Sequence, residues 1–121
     1  MKINLCLIII LFLTGCNKQK VKKSEDSMTW IKDSLGCKGK RTFDLAEKLI
    51  LENTLKNSSA EKFKTIFGEP NETFRDGSFT TFTYYVTSVC NNDSLQKNSD
   101  KCFSVFTFKH NKFIDHNNAC E

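Results

Sequence analysis

The residues able to do chemistry in this chain are six cysteines, two histidines and a scatter of serines. No C-x-x-C occurs, so the thiols carry no redox-motif spacing, and spread cysteine pairs read as bridges in preference to a metal site. Asp115 and His116 form the one acid–imidazole step, but a histidine on a short polar strand near the end of the chain reads as solvated, and His110 falls in a turn. No serine or cysteine has a recognisable base and orienting group; Ser58, Ser59 and Ser78 are explained by cap and turn chemistry. There is no Gly-rich phosphate loop. The expectation is a protein that is not an enzyme and that carries no cofactor and no metal.

Cysteine chemistry of another kind is written near the start. Lys2 is followed by Ile3 to Leu13, apolar except for Asn4, which is the charged and hydrophobic pair of regions of a secretory signal. The run is too short for a spanning helix, which needs about 20 apolar residues. It ends in Leu13-Thr14-Gly15-Cys16, which resembles the lipobox of bacterial lipoproteins. That resemblance implies a signal peptide over residues 1–15, cleavage before Cys16, and acyl chains on Cys16. Each buried methylene adds about 0.8 kcal/mol of membrane affinity, so two or three chains anchor a protein firmly. Cys6 leaves with the peptide. Asn17, in place of an aspartate, implies by the same resemblance an outer-membrane address, and the basic run that follows favours the periplasmic side.

Removing residues 1–15 takes away Lys2 and lowers the formal charge from +4 to +3, with Lys18, Lys20, Lys22 and Lys23 contributing much of the remainder. The excess charge is thus mostly a property of the tether, read as residues 16–27. Residues 28–121 make one domain with a modest core. Neither motif nor arginine-rich face suggests nucleic acid. Asn57, Asn71 and Asn92 begin Asn-x-Ser/Thr triplets, which an asparagine-rich chain produces by chance.

Trp30, Ile31 and Leu35 allow a helical turn or two. Thr42 caps a helix whose Phe43, Ala46, Leu49 and Ile50 share one face. Ser58 and Glu61 have capping-box spacing, Phe63, Ile66 and Phe67 make a stripe, and Gly68 with Pro70 stops the helix. The period then falls to two. Asp76-Gly77 marks a hairpin. Phe82, Tyr84 and Val86 share one strand face, and Phe106 and Phe108 share another, with Phe103 and Val105 opposite. His110-Asn111 is a tight turn before a short last strand. The predicted fold is α+β: two N-terminal helices packed on a three- to four-stranded antiparallel β-meander.

Four cysteines remain for an oxidising compartment, and they allow three pairings. Cys90 ends one strand and Cys102 begins the next, so the hairpin itself favours Cys90–Cys102. Cys37–Cys120 follows by elimination.

The segment from Asn57 to Phe113 resembles the BamE/SmpA-like small lipoproteins and the wider β-lactamase-inhibitor-protein-like group. Phe67-Gly68-Glu69-Pro70 matches their helix end, Tyr84-Tyr85 their central strand, and Phe106, Phe108 and Phe113 their closing hairpin. The likeness spans about residues 55–116. It implies a helical layer on a meander, a periplasmic lipoprotein and a binding role. Lys56 stands where the family often has glycine, and the four cysteines lie outside its pattern.

Aromatic residues on both faces of the central strand, with Arg75, suggest a binding surface of Trp30, Arg75, Tyr85 and Phe103. The expected function is a membrane-anchored interaction module that docks on an envelope protein. The alternative is an inhibitor of a hydrolase (a β-lactamase, peptidase or muramidase), using residues 91–101 or the Asp76-Gly77 turn.

Overall fold

The computed structural model describes residue 15 and residues 22–121; Cys16, expected to carry the acyl chains, the apolar run before it and the first part of the expected tether lie outside the described residues. Three helices come first: α1 (Glu25–Lys32), α2 (Phe43–Glu52) and α3 (Ala60–Phe67). Six strands follow: β1 (Glu72–Asp76), β2 (Phe79–Ser88), β3 (Cys90–Asn91), β4 (Ser94–Leu95), β5 (Lys101–Lys109) and β6 (Lys112–Cys120). The antiparallel sheet runs β1-β2-β5-β6, and β3-β4 is a separate small hairpin. The fold is α+β, with three helices among the described residues where two were expected.

The extra helix, α1, begins inside the segment read as tether. Ser24 caps it by accepting from the Ser27 N–H at 3.1 Å, and Glu25 and Asp26 place negative charge in its first turn, where the helix dipole favours it. Ser27 is fully buried and its hydroxyl donates to the Ile66 carbonyl, which ties α1 to α3.

Thr42 caps α2 as expected, through the Leu45 N–H at 3.0 Å. The cap of α3 is Ser59, not Ser58, and its hydroxyl accepts from Lys62 N–H at 3.2 Å. The displacement has a cause in the sheet. The Ser58 carbonyl accepts from Phe113 N–H at 2.9 Å, and Asn57 N–H donates to the Phe113 carbonyl at 2.8 Å. These residues act as a short extra strand on the edge of β6, so the helix starts one residue later. Gly68 ends α3 at φ 74°, as expected.

Turn chemistry sets the sheet register. β1 and β2 close at Asp76-Gly77, and His110 and Asn111 both take positive φ, 48° and 62°, in the hairpin between β5 and β6. Phe82, Tyr84, Val86, Phe106, Phe108 and Phe113 are buried on the helical face. Phe63 sits at the centre, stacked on Phe67 at 4.4 Å and edge-on to Phe108 at 5.2 Å. Each such ring contributes on the order of 1.5–3 kcal/mol by burial.

The disulfides differ from the expected pairing: Cys37 bonds Cys90, and Cys102 bonds Cys120. Where the strands end explains this. β6 continues to Cys120, well beyond the short strand expected, and so brings Cys120 directly opposite Cys102. Thr87 of β2 faces Cys102, three residues short of Cys90, so Cys90 runs past the end of the ladder and cannot meet it. Cys90 lies past the end of β2, over the loop that holds Cys37.

Candidate functional site

The loop between α1 and α2 is fastened to the sheet by a buried polar clamp. Asp33 is 2% exposed, and its carboxylate accepts from the backbone N–H groups of Lys38 and Lys40 at 2.9 Å and of Arg41 at 3.3 Å. Burial pushes this carboxyl up, but the three N–H donors and the Arg41 charge together outweigh it and hold it below the usual carboxylate value. Arg41 is equally buried. Its Nε donates to the Trp30 carbonyl at 2.8 Å, and one terminal nitrogen donates to Ser34 O, Asn71 Oδ1 and Tyr85 O at 3.1–3.2 Å. Burial pulls the guanidinium down to about 10, so it stays charged at neutral pH. Its plane lies over the rings of Trp30 and Tyr84, at 5.0 and 5.5 Å.

These acceptors are groups that secondary structure left without partners. Trp30 lies in the last turn of α1, whose carbonyls have no helical donor. Tyr85 lies at a bulge in β2, where the ladder is broken. Asn71 completes the repair: its Oδ1 accepts from Tyr85 N–H at 2.8 Å and its Nδ2 donates to Ser34 O at 2.7 Å. Gly36 lies against the same strand at φ +70°, and a Cβ there would stand 3.0 Å from the Tyr85 carbonyl oxygen. Only glycine allows that approach.

Asp33→Asn is expected to destabilise the domain by about 1–3 kcal/mol at neutral pH, because an amide repels one of the donors. The folded carboxyl titrates below its unfolded value. Its contribution is therefore full above the ordinary carboxylate pKa and is lost as pH falls through the folded value. Urea unfolding of both proteins at neutral and acid pH should show the gap closing in acid.

The clamp and the helices lie on one side of the sheet or at its end, and among the described residues no helix packs on the opposite face. Along that face Tyr85 pairs with Phe103, Thr83 with Val105, and Thr81 with Thr107, all half-buried by one another. Phe74 and Phe79, beside them, are 66% and 43% exposed. Lys101 Nζ lies 5.4 Å from the centre of the Tyr85 ring, and Tyr85 O–H donates to Glu72 Oε1 at 3.0 Å. Burial, then that hydrogen bond, raises the Tyr85 hydroxyl pKa, so it is a neutral donor. The face is aromatic and threonine-rich, rimmed by charge.

Of the four residues expected to form a binding surface, the structure brings two together. Tyr85 and Phe103 are cross-strand neighbours on the open face. Trp30 is 0% exposed and belongs to the core, edge-on to Phe67 at 5.1 Å, because α1 folds it inward. Arg75 pairs with Thr80, which puts it on the helical side of β1, in a cleft of about 240 Å³ with Lys64 and Phe82. Alternation along β1 would have revealed this, since Arg75 is one residue out of phase with Phe74.

His116, read as solvated, packs against the core. Its ring stacks on Phe106 at 4.5 Å, and Nδ1 meets Glu47 Oε1 at 2.8 Å. Asp115 faces Thr107 on the other side of the sheet, so the two adjacent residues form no dyad. His116 acts as a pin between α2 and β6. Asp33, Arg41 and Asn71 had no sequence signal beyond a charged, glycine-containing loop and the residue after Pro70.

The geometry defines a class: a helix-backed antiparallel sheet with one aromatic face left open. No family model matches the chain, and neither the curated proteins nor the solved structures contain a match to it.

Proposed function

We propose that this chain is a lipid-anchored protein of the bacterial cell envelope that docks on a protein partner through the open face of its sheet. The lipobox-like Leu13-Thr14-Gly15-Cys16 supports the anchor and an outer-membrane, periplasm-facing position. Among the described residues no helix is long and apolar enough to cross a membrane, so acyl chains on Cys16 supply the attachment in this reading. The resemblance to BamE/SmpA-like lipoproteins supports a binding role. The observation that carries the reading is the uncovered face itself, where Tyr85 and Phe103 stand side by side with exposed Phe74 and Phe79. Aromatic anchors on a rigid sheet concentrate binding energy at little entropic cost.

A second reading, inhibition of an envelope hydrolase, has one observation in its favour. The segment between Cys90 and Cys102 is mostly exposed and forms a small hairpin outside the main sheet, and each of those cysteines is bonded to a different part of the domain. A loop held at both ends is preorganised for insertion into a cleft.

One experiment separates them. A photo-crosslinking amino acid at Thr83 samples the face, and one at Asn98 samples the loop. Docking through the face predicts adducts from Thr83 in living cells, reduced by roughly tenfold or more by Phe103→Lys. Adducts from Asn98 alone, on a hydrolase, would establish the inhibitor reading. No adduct from Thr83 defeats the first proposal.

A further inference from the structure

The sheet ends in two edges, β1 and β6, and they differ. Beside β6 the register is broken after Thr107, and Asn57 and Ser58 bond the backbone of Phe113. β1 has neither device. Its register with β2 is regular from Glu72↔Thr83 to Asp76↔Phe79, no proline interrupts it, and all five of its residues are exposed. The backbone groups that β1 turns away from β2 have no strand beside them among the described residues.

The two sides of this edge offer different chemistry. On the open side stand Glu72, Phe74 and Asp76, and on the helical side Thr73 and Arg75. Helix α3 packs on β2 and β5 through Phe63, but it leaves β1 uncovered. The cleft of about 240 Å³ lies at this step. Two of its charges are already engaged. Lys64 meets Glu69 at 3.4 Å, and Glu61 accepts from Asn111 Nδ2 at 3.1 Å. Arg75 makes no ion pair and no side-chain hydrogen bond with any described residue.

We propose that β1 is a docking edge for an extended segment of another protein, which joins the sheet as an antiparallel strand and sets a carboxylate opposite Arg75. This goes beyond the docking of a partner on the open face and is tested apart from it. Antiparallel pairing continues the pattern of the sheet and is the more stable per residue. Directly opposite residues stand about 4.5–5.5 Å apart at Cβ, so an Asp or Glu there reaches a bidentate pair with Arg75 at the mouth of the cleft. On the open side the same strand sets an apolar residue against Phe74, which is 66% exposed. It also sets bases against Glu72 and Asp76. Glu72 accepts from Tyr85 O–H through Oε1, and its Oε2 has no partner among the described residues. From its N-terminus the recognised segment therefore reads base, acid, apolar, any residue, base. A second copy of β1 does not fit this edge. In the one antiparallel register that pairs all five residues, Glu72 falls against Asp76 at both ends, and like charges directly opposite are destabilising.

The probe is a blocked peptide with the core Lys-Glu-Val-Thr-Lys, titrated into the full-length chain in detergent and followed by backbone amide signals. Saturable shifts centred on residues 72–76 are expected. Lysine in place of the peptide's glutamate, or Arg75→Glu in the protein, should each weaken binding by about fivefold or more, and the two together should restore it. Peptides N-methylated at alternate residues, in both phases, test the backbone ladder. The phase whose N–H groups face β1 should lose binding, which a contact through charge alone would survive. The changes on the peptide leave the protein's fold untouched, and melting of the Arg75 variant confirms its own. No saturable shift at β1, equal binding of the lysine peptide, or full binding of both methylated phases overturns strand addition. Thr83 adducts in cells without peptide binding at β1 would keep docking on the open face and reject this edge.

Discussion

Arg41→Ala is expected to lower the unfolding free energy by about 3 kcal/mol or more, measured by urea denaturation with the disulfides intact. The guanidinium holds four acceptors from three separate parts of the fold: the end of α1, the turn at Asn71 and the bulge in β2. Removing it leaves buried carbonyls of Trp30 and Tyr85 without that donor. It also leaves Asp33 without its counter-charge and opens a void between the rings of Trp30 and Tyr84. Arg41→Lys keeps the charge but not the planar fork, and one ammonium cannot reach all four acceptors at once. It should recover only part of the loss. If Arg41→Ala unfolds within about 0.5 kcal/mol of the native protein, the clamp does not hold the loop.

Replacing Cys37 and Cys90 together by serine is expected to cost about 4 kcal/mol, and the same change at Cys102 and Cys120 about 3 kcal/mol, by the chain-entropy model. The difference follows from separations of 53 and 18 residues. The pairs also act on different things. Cys37–Cys90 fastens the clamp loop to the end of β2, so its loss should add to the effect of Arg41→Ala by less than a simple sum, since both secure one contact. Cys102–Cys120 closes the β5–β6 ladder, and its loss should free the end of the sheet while the clamp survives. A peptide map under non-reducing conditions should recover Cys37 with Cys90 and Cys102 with Cys120. A Cys90–Cys102 peptide would refute the arrangement of strands described here.

Much of the local structure was readable because it obeys local rules. Thr42 and Gly68 cap helices through bonds to residues three or four positions away. Asp76-Gly77 and His110-Asn111 make turns because these residues tolerate the φ values required. The phenylalanine stripe of α3 and the alternation of β2 and β5 placed Phe63, Phe67, Phe82, Phe106 and Phe108 inside. A two-residue period also assigned Tyr85 and Phe103 to the face away from the core.

What failed depended on distance along the chain. Trp30 reads as an exposed anchor in the sequence because nothing nearby says which side of α1 meets α3. Ser58 lost its cap role to Ser59 because its backbone is engaged by β6, some fifty residues later. The cysteine pairing turned on where β2 and β6 end, and neither end has a strong local signal. Asp33 and Arg41 looked like solvated loop charges, and burial of a charged residue is invisible until its partners are assembled around it.

By itself, then, the sequence determined an α+β chain with capped helices, an alternating sheet and an aromatic core, because those features arise from neighbours within a turn or a hairpin. Only the tertiary structure decided which thiols meet, which charges are buried and which sheet face stays open. Those depend on contacts between segments far apart in the chain, and hydrophobic pattern alone is compatible with several such arrangements.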